Sequence, residues 1–179
     1  MVMSLPDMPF PIAAIVHADR RAADVLLDEF SADLMRAGRQ VHGLIQRRTG
    51  EGKAATVLID LQSGTRYPLF QNLGAGSASC SVDSGSLAAA SLTLRRALDE
   101  GAELAIANRY GSLEATGGAN GGLAAEMLAL MAEGIPFLTI VADEYLPAWR
   151  HFTGHAGVEL PAQRAALEGW FAGVMRGRA

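Results

Sequence analysis

The sequence predicts a three-layer α/β fold, a mostly parallel sheet with helices on both faces and a β-hairpin inserted into it. Three observations carry that prediction. Apolar runs of strand length alternate with amphipathic stretches of helix length toward both ends of the chain. Two of the runs, Ile12 to Val16 and Phe137 to Val141, are nearly continuous rather than alternating, as in strands buried on both faces. Finally, 179 residues suffice for one well-buried core but not for two ordinary domains, so residues 1–179 read as a single domain.

Taken in order, Pro11 to Val16 reads as the first strand. Asp19 then stands as N-cap of a helix in which Leu26, Phe30 and Leu34 recur at i, i+4 and i+8, ending near Gly38. Val41 to Ile45 is the second strand, and Thr56 to Leu61 followed by Thr65 to Phe70 is a hairpin with Gly64 in its turn. Leu73 to Ser86, rich in Gly and Ser, is the longest loop signal. Leu87, Ala90, Leu94 and Leu98 share one face of a helix that runs to Glu100. Leu104 to Ala107 is a short strand, Gly111 to Gly122 a glycine-dense loop, and Leu123, Met127 and Met131 mark a helix ending at Gly134. Pro136 to Ala142 is a further strand, and Pro161 is expected to begin the last helix, packed by Leu167, Trp170, Phe171 and Val174.

Composition narrows the function classes. Half the residues are hydrophobic and 19% are charged, which excludes disorder. A net charge of −4 lacks the basic face that nucleic acid requires. No apolar run reaches the length of a membrane span, and the start of the chain, with Asp7 and no Lys or Arg before Ile12, does not read as a signal peptide. With a lone Cys80 no internal disulfide can form, so a cytoplasmic location is expected. Of 15 basic residues only Lys53 is a lysine.

In a parallel sheet, ligands sit beyond the carboxyl ends of the strands, so the chemistry is sought there. After the first strand, His17-Ala18-Asp19-Arg20-Arg21 lacks the glycines, the lysine and the Ser or Thr of a phosphate-wrapping loop. Asp19 would repel phosphate, and Arg20 and Arg21 would offset it; the plain alternative is a capped helix with solvated charges. After Ala107 comes Asn108-Arg109-Tyr110-Gly111, then Glu114 and Gly117-Gly118. Arg109 at a strand exit, beside glycines that permit close backbone approach, suits an oxyanion; a structural loop with Glu114 on the surface is the alternative. Cys80 is either an inert small core residue or, near a cation, a reactive thiolate. Asp143 and Glu144 suit the first turn of a helix from Tyr145 to Arg150. His151 and His155 have the spacing of helical metal ligands, but Gly154 lies between them and no Glu adjoins His151, so no metal is expected. Gly74 to Ser79 is a broken dinucleotide fingerprint with no helix directly behind it.

From Ile12 to about Ala142 the layout resembles the cancer-related nucleoside triphosphatase family of P-loop proteins, in which an apolar run leads into Asp-Glu, Ile-Gly and a further Glu that handle magnesium and water. Asn108 and Arg109 stand where that family has its metal-binding Asp and catalytic Glu, and the loop lysine is missing. An amide is no anionic ligand for Mg²⁺ and a guanidinium repels it, so three parts of phosphoryl-transfer machinery are absent together. Asn108 to Gly118, with Cys80 and Asp83 ahead of the long helix, more closely resembles an uncharacterised bacterial family often encoded near molybdate transporters. The resemblance implies a P-loop-NTPase-like domain with a degenerate phosphate loop and a link to molybdenum.

The resulting expectation is a non-hydrolysing protein with no cofactor and no metal, binding a small anion or anionic metabolite. The expected ligand set is His17, Arg20, Arg48, Asn108, Arg109, Glu114, Gly117 and Gly118. No nucleic-acid or membrane partner is expected, and a homodimer is left open. Two rival readings are a Cys80-dependent enzyme or redox protein with His17 as base, and a protein-interaction module with a vestigial pocket.

Overall fold

The computed structural model describes residues 10–71, 81–117 and 121–179. The elements are β1 (Ile12–His17), α1 (Arg20–Arg36), β2 (Val41–Arg48), β3 (Thr56–Asp60), β4 (Arg66–Pro68), α2 (Ser84–Asp99) and β5 (Leu104–Ala107). They continue as α3 (Ser112–Gly117), α4 (Ala124–Ala132), β6 (Phe137–Ala142), α5 (Leu146–Phe152), β7 (Val158–Pro161) and α6 (Arg164–Arg176). The strands form one sheet in the order β4-β3-β2-β5-β6-β1-β7. Strands β2, β5, β6, β1 and β7 run parallel, and the β3–β4 hairpin extends the sheet antiparallel beside β2.

Burial on both faces explains the continuous apolar runs. Successive residues of β1 feed two separate cores. Ile12 and Ala14 pack with Ala90 and Leu94 of α2 and Met127 of α4, while Ala13 and Ile15 pack with Leu27 and Phe30 of α1 and Trp170 and Phe171 of α6. The expected α/β class, the two helical layers and the hairpin are all present, with Gly64 at φ +72 in the hairpin turn.

Several boundaries differ from the sequence reading. Strand β2 runs three residues further than expected, because Gln46, Arg47 and Arg48 pair with β3 after β5 has ended. Arg48 therefore closes a strand instead of following one. Helix α2 begins at Ser84, where the Asp83 carboxylate accepts from the Ser86 amide at 2.9 Å. The glycine-dense segment contains the short helix α3. Pro161 ends a strand rather than opening a helix. β7 lies at the sheet edge, where a residue without an N–H is tolerated, and α6 starts at Arg164. Asp143 and Glu144 lie in a 3-10 turn before α5 and make no side-chain cap.

The register brings the functional ends together. His17 lies opposite Ala142, Leu44 opposite Ala107, and Tyr110 bridges Val141, so β1, β2, β5 and β6 all exit at one end of the sheet. That end carries the candidate site.

Candidate functional site

The first wall of the site is the start of α1. Only Ala18 and Asp19 separate β1 from α1. Asp19 is extended at φ −105, and its carboxylate accepts from the amides of Arg21 at 2.9 Å and Ala22 at 3.4 Å. Those are the donors that a helix N-terminus would otherwise offer to a bound anion. The charge nearby is carried by side chains instead. Arg20, Arg21, Arg47 and Arg48 line a cleft of about 720 Å³ together with Asp24 and Asp28. Arg47 is engaged by Asp28, with Nε at 3.0 Å and a terminal nitrogen at 2.8 Å. Arg20, Arg21 and Arg48 have no ion-pair partner among the described residues and are exposed. The cleft is cationic because four guanidiniums face two carboxylates.

The second wall is the exit of β5. Asn108 donates from Nδ2 to the Gln46 side-chain oxygen at 3.3 Å, tying the exits of β5 and β2 together. Arg109 forms an ion pair with Asp24 of α1. Burial lowers the Arg109 pKa and raises that of Asp24, in both cases outweighing the attraction between them. The pair therefore sits in a poorly solvated place where each charge opposes, without cancelling, the effect of burial on the other. Glu114 is 7% exposed, so it is no surface residue. Its carboxylate accepts from the Gly111 amide at 2.9 Å and the Leu123 amide at 3.0 Å, clasping the start of α3 to the start of α4. Burial raises the Glu114 pKa, and the backbone donors and then Arg109 oppose the rise. Gly122, at φ +56, lies so close that a Cβ there would overlap the Glu114 carboxylate.

His17 sits behind these walls. It is 7% exposed, and neither ring nitrogen has a hydrogen-bond partner among the described residues. Burial and then the Arg109 charge lower its pKa, against smaller opposing effects of Asp24 and Asp143. The neutral imidazole is the favoured form.

The expected residues therefore divide between two adjoining clefts. Arg20 and Arg48 line the larger; Arg20, Asn108, Arg109 and Glu114 line a smaller one of about 170 Å³. Arg20 and Gln46 line both. His17 and Gly117 are not among the lining residues of either, and Gly117 is the exposed last residue of α3. Gly118 and Cys80 lie outside the described residues. His151 is on α5 but His155 lies beyond it at φ 63, so the pair does not share a helical face. Two contributors escaped the sequence reading, Asp24 and Gln46, while Arg21 was weighed beside Arg20 but left out of the expected ligand set. Asp24 had a signal, since it lies one helical turn after Arg20. Gln46 had none, because its role depends on how β2 aligns with β5.

Comparison with known proteins sets this geometry in context. The fold matches the solution structure of a human cancer-related nucleoside triphosphatase with a TM-score of 0.63 at 15% identity, covering 93% of this chain and 96% of that one. It matches the crystal structure of THEP1 from Aquifex aeolicus with a TM-score of 0.59 at 13% identity, covering 89% and 94%. The chain therefore shares the fold of these two proteins. Over 166 residues the chain is 35% identical to part of the molybdenum import ATP-binding protein ModC 2 of Bradyrhizobium diazoefficiens. That match takes in 91% of this chain but only 18% of the relative's length. A family model described as "Protein of unknown function (DUF2478)" matches residues 12–170, and the chain belongs to that family.

Proposed function

We propose that this chain is a non-hydrolysing P-loop-NTPase-like protein that binds a small anion or anionic metabolite at the carboxyl ends of its strands. The observation that carries the reading is the start of α1. The β1–α1 connection is two residues long, and Asp19 itself occupies amides that a phosphate would need. Anion recognition then passes to Arg20, Arg21 and Arg48, whose forked donors suit tetrahedral oxyanions. Asn108 and Arg109, at the exit of β5, supply an amide and an already paired cation where catalysis would call for metal-binding carboxylates. A molybdenum-related accessory role draws support from the name of the ModC 2 relative, of which this chain matches 18%. We assign the ATP binding in that name to the remainder of the relative.

A thermal-shift series with phosphate, molybdate, tungstate, and Mg²⁺ with ATP or GTP tests the reading. At least one oxyanion is expected to raise the melting midpoint, with the rise lost in Arg48→Ala and reduced by salt. Release of phosphate from Mg-ATP or Mg-GTP is expected to stay at background. Robust turnover that vanished in Asn108→Ala would sink the proposal.

A further inference from the structure

We infer that the site takes an organic anion bearing a single ring, its charged group among Arg20, Arg21 and Arg48 and its ring in the smaller cleft beside them. This deepens the anion-binding reading and rests on it.

The two clefts are chemically unlike. The larger is walled by guanidiniums, whereas the smaller sets an apolar wall that includes Leu58, Leu69, Phe70 and Leu87 against a polar edge of Asn108, Arg109 and Glu114. A few convergent polar groups in an apolar cleft are the usual make-up of an organic-ligand site. Its volume of about 170 Å³ is of ring size; an apolar cavity of about 150 Å³ accepts benzene. An inorganic oxyanion gains nothing from such walls, because leaving water for apolar surroundings costs a charged group far more than they return. The ring and the charge can belong to one molecule because Arg20 and Gln46 line both clefts.

The slot is held open by backbone bonding on both sides. Along one side the Leu69 amide donates to the Thr56 carbonyl at 3.0 Å, and the Asp83 amide to the Leu69 carbonyl at 3.0 Å. Phe70 and Val82 form an antiparallel bridge between the second of these bonds and one from the Gln71 amide to the Ser81 carbonyl at 2.8 Å. Across the slot the Glu114 clasp fixes Gly111 and Leu123. The apolar side chains are thus spaced by hydrogen-bonded segments that cannot slide together without losing those bonds.

Calorimetric titration of the full chain with inorganic phosphate, phenyl phosphate and phenol tests this. Phenyl phosphate is expected to bind about tenfold or more tightly than phosphate, as burial of a ring implies. Arg48→Ala is expected to weaken both phosphates, and phenol to bind far more weakly than phenyl phosphate. Leu87→Trp, which fills the slot, is expected to bring phenyl phosphate down to the affinity of phosphate and leave phosphate unchanged. Val82→Leu fills it less drastically, is read in the same direction, and stands in if Leu87→Trp does not fold. Equal affinities for the two phosphates, both dependent on Arg48, would overturn this inference and leave the anion-binding reading standing. A phenyl phosphate preference that survives both slot-filling variants would place the ring elsewhere and also overturn it. Failure of both phosphates to bind, or binding indifferent to Arg48→Ala, would overturn the anion-binding reading and the inference with it.

Discussion

Arg109 and Asp24 illustrate how a residue at a strand exit can be occupied by its own protein. The sequence places Arg109 where an oxyanion would want it, the alternative being that it pairs with Glu114 or Asp83 to pin the loop. The fold brings α1 over the same spot, and Asp24 takes the guanidinium. Burial disfavours the charged form of each partner, so removing one strands the other. Arg109→Ala is therefore expected to cost about 2 to 4 kcal/mol of stability, and the Asp24→Ala/Arg109→Ala double variant less than the two single losses added. Additive losses in chemical denaturation would show that the pair does not act as a unit. His17 gives the second prediction at this scale. Its folded-state pKa lies below the ordinary imidazole value of 6.5, because of burial and Arg109. A lowered pKa means the unfolded chain binds the proton more readily. The neutral form's contribution is thus present above about pH 6.5 and is lost as pH falls through the folded value. The melting midpoint of the wild type is expected to fall more steeply on acidification below about pH 6.5 than that of His17→Gln. Parallel curves for the two proteins would remove His17 as the cause.

Among the elements, the join between α3 and α4 depends on the Glu114 carboxylate and on Gly122. The glycine cluster suggested close approach of backbone to a ligand, and what approaches Gly122 closely is Glu114. Gly122→Ala would combine a positive φ of +56 with an overlap onto that carboxylate. A loss of about 2 kcal/mol or more is expected, with faster hydrogen exchange at the Leu123 amide that Glu114 holds. An unchanged melting midpoint would mean that the clasp is not needed. Helix α3 was hidden because six residues leave no room for an apolar period to repeat, and Gly and Ser read as loop. β7 was hidden for a related reason. Val158-Glu159-Leu160-Pro161 is four residues long and ends in proline, and only its pairing with β1 makes it a strand. Helices α1, α2 and α6 were legible because each repeats its apolar face over several turns: Leu26, Phe30 and Leu34 in the first, Leu87, Ala90, Leu94 and Leu98 in the second, and Leu167, Trp170, Phe171 and Val174 in the third.

At the scale of the whole molecule, the sequence by itself determined the layer architecture. Continuous apolar strands must be covered on both faces, and the helical crossovers that cover them make the strands parallel, which sends the exits of β1, β2 and β5 to one end. It also determined which side chains stand at the β1 and β5 exits, since residue identity at Asp19, Asn108 and Arg109 needs no coordinates. Tertiary structure alone decided which of the basic residues are engaged. Arg47 meets Asp28 and Arg109 meets Asp24, while Arg20, Arg21 and Arg48 face the larger cleft. It alone showed that an apolar slot adjoins that cleft, because Leu58, Leu69, Leu87 and Leu123 come from four separate segments. The physical reason is range. Periodicity and capping act within a few residues of chain, whereas ion pairing and cavity shape depend on residues that only folding makes neighbours.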